Sequence, residues 1–115
     1  MDIERINPSE KWSDVTVFNK MAHFVEVAAD AGADMSGQVE QIFSQAEGML
    51  ASVNSDKSRI LSVTIYVTDF ANLEVLNSAW QNWLPEGCAP SRACLKVELA
   101  DPAYLVEIAF VAAVR

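Results

Sequence analysis

The feature that most constrains the fold is a hydrophobic period that changes twice along the chain. Apolar residues recur every three or four positions from Met35 to Val53, alternate with polar residues from Leu61 to Thr68, and return to helical spacing after Asp69. The first and third patterns predict amphipathic helices, and the second predicts a half-buried strand. Strand–helix–strand connections require parallel strands that are covered by helices on one side. We therefore expect an α+β fold with a mixed sheet and two helices packed on one face.

Further strands are predicted before the first helix and after the second. Asn19-Lys20 is typical of a hairpin turn between two apolar runs. The predicted strands are Val15–Phe18, Met21–Ala29, Ser91–Leu99 and Tyr104–Val114, with an optional strand at Ile3–Ile6.

Both helices have recognisable starts and inner faces. Asp34 or Ser36 can cap the first helix, and Asp69 can cap the second. The inner face of the first helix is predicted from Val39, Ile42, Phe43, Ala46, Leu50 and Val53. The inner stripe of the second helix is predicted from Phe70, Leu73, Leu76, Trp80 and Trp83 or Leu84.

Length and charge limit the class of protein. The 115 residues fit a single domain, and a net charge of −8 disfavours nucleic acid as a partner. Apolar stretches are too short to cross a membrane, and the start Met1–Arg5 has no features of an export signal, so we expect a cytoplasmic protein. Two cysteines, Cys88 and Cys94, with one histidine fit neither a metal site nor a disulfide framework.

One face of the sheet has no helix left to cover it. We assign Arg92 and Cys94 to this face, together with Thr64 and Tyr66 of the alternating strand. A polar face that no helix covers needs another partner, and a second copy of the chain is the economical candidate.

Glu107 and Arg92 are the main candidates for a chemical role. Glu107 interrupts an apolar strand, where an unpaired carboxylate is costly and a partner or a function is expected. A structural ion pair of Glu107 with Arg92 or Lys96 is the alternative to a functional role. Arg92 can bind a small carboxylate through two parallel hydrogen bonds, although an isolated arginine is more often a surface or interface residue.

Three other residues are expected to support this site. Cys94 shares the face of Arg92 but has no histidine nearby in sequence, so it is interpreted as a wall of the site rather than a nucleophile. Asn77 can bond a ligand or the backbone, and Trp12 can cover a pocket or belong to the core or an interface. His23 is interpreted as a structural histidine.

The order of the last two strands is left open by the sequence. A simple hairpin about Ala100-Asp101 would place Glu107 opposite Cys94. A split arrangement would insert the last strand elsewhere in the sheet, and Arg92 and Glu107 would then meet only across a subunit boundary.

Several segments together resemble the Rid family, also called the YjgF or L-PSP endoribonuclease family, and in particular its YoaB-like branch. The similarity covers nearly the whole chain. It rests on Ala89-Pro90-Ser91-Arg92-Ala93-Cys94, Val106-Glu107-Ile108, the ending Val111-Ala112-Ala113-Val114, Trp12-Ser13-Asp14, the helix start from Asp34 to Gln38, and Asn77 with Trp80.

The resemblance implies a chorismate-mutase-like fold that assembles as a homotrimer with its sites between subunits. It implies hydrolysis of small enamines and imines, such as 2-aminoacrylate and 2-iminopropanoate, to 2-oxo acids without a cofactor. By position, Arg92 would bind the substrate carboxylate and Glu107 would handle the attacking water. The backbone at Cys94 would hold the water or the imine nitrogen. Asn77 and Trp12 would shape the pocket, with Trp12 supplied by a neighbouring subunit.

One pair of residues departs from the pattern of the family's deaminases. Val25-Glu26 stands where they have Ser-Gly or Thr-Gly, so a hydroxyl is lost and a negative charge is added. An imine deaminase and a non-catalytic protein that binds small carboxylates are therefore both kept as hypotheses. A chorismate mutase is a distant third, because a shared fold does not carry function.

Overall fold

A computed structural model describes residues 2–115. The segment Met1–Arg5, in which the sequence shows no export signal, therefore begins with a residue outside the described residues. The elements are β1 (Glu4–Ile6), β2 (Val15–Phe18), β3 (Met21–Glu26), α1 (Met35–Ser52), β4 (Ile60–Val67), α2 (Leu73–Trp83), β5 (Ser91–Lys96) and β6 (Val106–Ala113). Short 3-10 turns at Lys57–Arg59 and Phe70–Asn72 precede β4 and α2.

The six strands form one mixed sheet in the order β1-β2-β3-β6-β4-β5. β4 and β5 are parallel and are joined through α2, whereas β6 is antiparallel to both β3 and β4. The last strand therefore lies in the middle of the sheet, and the split arrangement is the correct alternative. Glu107 faces Tyr66 of β4 across the ladder instead of Cys94.

The predicted hairpin between β2 and β3 is confirmed. Asn19 and Lys20 have φ angles of 52° and 60°, and Phe18 pairs with Met21. Two successive left-handed residues give a turn whose twist matches that of the flanking strands.

Helix α1 matches its prediction closely. The side chain of Asp34 accepts a hydrogen bond from the Gly37 N–H at 2.9 Å, so Asp34 and not Ser36 is the N-cap. The predicted inner residues are all buried in the single core between the sheet and the helices.

Two predicted core residues are exposed instead. Phe70 belongs to the 3-10 turn before α2 and is 50% exposed, because the helix proper begins only at Leu73. Leu61 is 46% exposed, because an irregularity in the ladder next to it shifts the alternation and buries Ile60 in its place.

The two faces of the sheet differ in their cover. Buried side chains of β3, β4 and β6 such as Phe24, Ile65 and Ile108 point towards α1 and α2. The other face has no helix among residues 2–115 and exposes Met21 and Val25 of β3. We call it the open face. Neither helix within residues 2–115 combines the length and apolar character that a membrane crossing requires.

Candidate functional site

Arg92 lies on the helix side of the sheet, and its assignment to the open face is wrong. It is in register with buried Val63 of β4, and its Nη2 donates a hydrogen bond to Asn77 Oδ1 at 2.6 Å on α2. Its guanidinium carbon lies 5.8 Å from the ring centroid of Trp80, one helical turn after Asn77. Both contacts are with neutral groups.

The charge of Arg92 is therefore not neutralised within the protomer. The ion pairs among residues 2–115 are Lys57–Glu47 and Arg115–Asp56, and neither involves Arg92. A guanidinium has five N–H donors, so most of them remain available after the bond to Asn77. An exposed arginine fixed by an amide and an indole ring is well suited to bind a small anion.

Cys94 lies two residues further along β5, on the same side of the sheet as Arg92. It is half-buried and packs against the core, so its assignment to the open face is also wrong. Because β5 is an edge strand, part of its backbone N–H and C=O groups can bond a ligand or another chain. We call Arg92, Asn77, Trp80 and Cys94 the arginine half-site.

Glu107 lies on the open face, near the start of β6. It is half-buried opposite Tyr66, and it forms no ion pair with Arg92, Lys96 or any other residue from 2 to 115. The structural ion pair considered from the sequence does not form within the protomer.

Glu107 lines a cleft of about 730 Å³ on the open face. Trp12 also lines this cleft and is 69% exposed, and a turn in which the Trp12 N–H donates to Ser9 Oγ at 3.2 Å fixes its position. The remaining lining residues are Ser13, Asp14, Thr16, His23, Phe24, Val25, Glu26, Val27, Met49, Ala109, Phe110 and Val111. We call Glu107, Trp12 and Val25 the glutamate half-site.

Val25 and Glu26 point in opposite directions. Val25 is 57% exposed on the open face, whereas Glu26 is 8% exposed and accepts a hydrogen bond from Gln45 Nε2 at 3.0 Å. Burial raises the pKa of the Glu26 carboxyl, the bond from Gln45 opposes this, and the charge of Asp14 adds to the rise. The extra carboxylate is thus directed towards α1, although it still borders the cleft.

The two half-sites lie on opposite faces of the sheet. A single protomer cannot bring the guanidinium of Arg92 and the carboxylate of Glu107 to one small ligand, because the sheet lies between them. No cluster of three or more His, Cys, Asp or Glu side chains suited to a metal occurs in the described part of the chain.

Sequence reasoning missed or misjudged three parts of this arrangement. Trp80 supports Arg92, and its spacing of three from Asn77 is the signal that could have shown this. His23, which the sequence interprets as a structural histidine, is exposed and lines the cleft, so it borders the candidate site. Gln38 and Gln45 bond loop backbone near Glu107 and Glu26, and the polar spacing along α1 was the available signal.

The fold and the half-sites define a small α+β protein with an unneutralised arginine at a sheet edge and a carboxylate in an open-face cleft. A sequence profile of the family described as Endoribonuclease L-PSP matches residues 3–114. The chain therefore belongs to this family, the Rid or YjgF family that the motif around Arg92 predicts, and it is close to YoaB.

Individual relatives match over nearly their whole length. A RutC family protein of Haemophilus ducreyi is 37% identical over 114 residues, which covers 98% of this chain and 97% of the relative. The RutC family protein YoaB of Escherichia coli is 36% identical, with 99% and 100% covered. A crystal structure of a Pseudomonas aeruginosa protein superposes with a TM-score of 0.96 at 35% identity, covering 99% of this chain and 100% of that one.

Proposed function

We propose that this protein is a cofactor-independent imine and enamine deaminase that hydrolyses small 2-imino acids to 2-oxo acids and ammonia. The observation that carries this proposal is the guanidinium of Arg92, which Asn77 and Trp80 fix in place without neutralising it. A 2-imino acid carries a carboxylate next to its reactive carbon, so binding that carboxylate also places the carbon.

The reaction then needs a positioned water and a proton acceptor. Glu107 takes a proton from the water as its oxygen bonds to the imine carbon, and the C=N bond becomes a C–N single bond. Protonated Glu107 returns this proton to the nitrogen, which gives the neutral carbinolamine and restores the carboxylate. The hydroxyl proton of the carbinolamine then passes to the nitrogen, the C–N bond breaks, ammonia leaves and the C=O bond of the 2-oxo acid forms. The backbone beside Cys94 holds the water or the imine nitrogen. Because imines hydrolyse readily, positioning and one base suffice.

The active assembly in this proposal is a homotrimer with a chorismate-mutase-like arrangement of sheets. The arginine half-site of one protomer meets the glutamate half-site of the next, so Trp12 reaches Arg92 from a neighbouring subunit. Two observations support this assembly: the half-sites lie on opposite faces of one sheet, and the open face exposes apolar side chains at Met21, Val25 and Leu95. Exposed apolar patches of this kind are typical of interaction surfaces.

A second candidate function is non-catalytic binding of a small carboxylate at the same site. Val25 and Glu26 favour it, because they stand where the family's deaminases have Ser-Gly or Thr-Gly, so the hydroxyl of those deaminases is lost. The word endoribonuclease in the family description fits this protein poorly, because a net charge of −8 repels phosphate backbones.

One assay separates the two candidates. An amino-acid oxidase generates 2-iminopropanoate in situ, semicarbazide traps it, and the native protein competes with the trap for the imine. Arg92→Ala is compared with Lys96→Ala, which removes another cation from the same strand. We expect the native protein and Lys96→Ala to reduce trapping strongly and Arg92→Ala to have little effect. A native protein that competes no better than Arg92→Ala overturns the enzyme proposal. Binding of a small carboxylate is then the remaining candidate function, and calorimetry with pyruvate measures it.

A further inference from the structure

Three glutamines on α1 bond to the backbone at one end of the sheet. Gln45 Nε2 donates to the Val27 carbonyl at 2.8 Å, just beyond the end of β3. Gln41 bonds both backbone groups of Asp30, at 2.8 Å to its N–H and 3.2 Å to its carbonyl. The third glutamine is Gln38, which also contacts residues much farther away in the sequence.

Gln38 connects the start of α1 with the segment that leads into β6. Its side chain is fully buried, with 0% exposed. Its Oε1 accepts from the Leu105 N–H at 2.9 Å, and its Nε2 donates to the Ala103 carbonyl at 3.1 Å. The same Nε2 lies 3.2 Å from the Ala31 carbonyl and 3.0 Å from that of Ala33.

The bonds from Gln38 lie next to the start of β6, where β6 is paired with β4 but not with β3. Pairing of β6 with β4 begins at Val106, whereas pairing with β3 begins only at Ile108. Between these positions the side of β6 that faces β3 has no ladder partner, and Glu107 is in this gap. Gln38 supplies one hydrogen bond at Leu105, immediately before the gap.

Leu105 lies two residues before Glu107 and immediately before β6, which begins at Val106. Because Val106 is already paired with β4, the backbone at Leu105 sets how the chain enters the strand that carries Glu107. The Thr68 N–H, just after the end of β4, donates to the Leu105 carbonyl at 3.2 Å. Leu105 is therefore held through its carbonyl by Thr68 and through its N–H by Gln38. A shift at Leu105 therefore moves or turns the carboxylate of Glu107.

We propose that Gln38 is a positioning residue for Glu107, which it fixes through the backbone at Leu105. The role of Glu107 in catalysis rests on the proposed deaminase function, but the positioning itself does not. Loss of the Gln38 amide removes the acceptor of the Leu105 N–H and the donor to the Ala103 carbonyl, and this segment then shifts so that both groups can reach water. The base then loses its alignment, whereas Arg92 on the other face still binds the substrate carboxylate.

The test compares Gln38→Met with Gln41→Met. Both changes remove a backbone-binding amide from α1 and conserve side-chain length, but only Gln38 contacts the segment before β6. For Gln38→Met we expect kcat to fall about 10-fold to 100-fold with KM nearly unchanged. Gln41→Met is expected to keep the native kcat. Equal kcat values in native protein and folded Gln38→Met would overturn the proposal.

A double variant distinguishes positioning from general loosening of the fold. If Gln38 acts through Glu107, then Gln38→Met combined with Glu107→Gln has a kcat within about twofold of Glu107→Gln alone. A kcat reduced by the product of the two separate factors would show that Gln38 acts independently of Glu107, and would also overturn the proposal.

Hydrogen exchange at the Leu105 amide gives a readout that does not need activity. We expect exchange at least about 10-fold faster in Gln38→Met than in Gln41→Met or native protein. If the native protein has no deaminase activity, the proposed function fails, and this comparison alone decides the positioning. Equal exchange rates would then contradict it. If Gln38→Met does not fold, Gln38→Leu, which also removes the acceptor for the Leu105 N–H, replaces it in the same comparison with Gln41→Leu.

Discussion

Arg92 and Glu107 lie on opposite faces of the same sheet, Arg92 in register with buried Val63 and Glu107 in register with Tyr66. The two residues that best fit a role in imine hydrolysis are thus kept apart within the protomer. In the proposed trimer, this separation makes each site depend on two copies of the chain, so that an isolated protomer is inactive.

The first prediction concerns the unneutralised charge of Arg92. Asn77→Asp replaces the amide that contacts Arg92 with a carboxylate of the same shape, which then competes with the substrate for the guanidinium. We expect KM for 2-iminopropanoate to rise about 5-fold with a smaller change in kcat, because an exposed ion pair contributes about 1 kcal/mol. Steady-state kinetics measures this. Asn82→Asp adds the same charge to α2 away from Arg92 and is expected to behave as native, and an unchanged KM for Asn77→Asp would contradict the role of Arg92.

The second prediction concerns the base. Glu107→Gln keeps the shape of the side chain and removes its ability to accept a proton, so kcat is expected to fall about 100-fold or more. Binding of pyruvate, measured by calorimetry, should change little, because the carboxylate site lies on Arg92. Glu98→Gln, an exposed change after β5, is the control. Native kcat in Glu107→Gln would assign the water-handling role to another group.

The third prediction concerns pH and Glu26. Burial is the main cause that raises its pKa in the folded protein, so folding favours the protonated form. The associated stabilisation is present at low pH and is lost as the pH rises through the folded pKa, because the charged form must then be buried. Glu26→Gln should therefore raise the urea midpoint at pH 7, and the gain should shrink as the pH falls towards the ordinary value of 4.5.

Glu40→Gln is the matched control for this measurement, because Glu40 is exposed on α1. Its urea midpoint is expected to follow the native protein across the same pH range. A lower midpoint for Glu26→Gln at pH 7 would mean that the charged form of Glu26 stabilises the fold.

The fourth prediction concerns the open face. Val25→Glu places a charge in the surface that the proposed trimer buries, and the variant is expected to run as a protomer of 12.6 kDa in light scattering at micromolar concentration. Val75→Glu makes the same change on α2, where Val75 is 39% exposed, and should leave the trimer intact. A native protein that is itself a monomer would remove the shared site.

Local patterns predict most of the fold. The helical spacing before Val53 and the alternation after Leu61 are properties of neighbouring residues, and so is the turn at Asn19 and Lys20. The position of β6 between β3 and β4 depends on pairs of residues that are far apart in sequence. Glu26 and Ile108, for example, are more than 80 positions apart, and the sequence left the position of the last strand open.

The faces of β5 show why the site was only partly predictable. Ala93 and Leu95 are the more apolar residues of this strand, and the rule that apolar residues point inwards assigns them to the core. In the structure they are exposed on the open face, and Arg92 and Cys94 face the helices. At the sheet edge, α2 presents Asn77 next to Trp80, so a polar side chain can be accommodated there. The face that each of these residues occupies depends on contacts between elements that a single strand does not encode.

The most direct test of the shared site is complementation between two inactive variants. Arg92→Ala and Glu107→Gln are co-expressed in equal amounts, and the purified mixture is assayed for hydrolysis of 2-iminopropanoate. If each site takes Arg92 from one protomer and Glu107 from the next, every mixed trimer contains one complete site, and random assembly restores about a quarter of native activity. A mixture no more active than the two separate variants would contradict a site shared between copies of this chain.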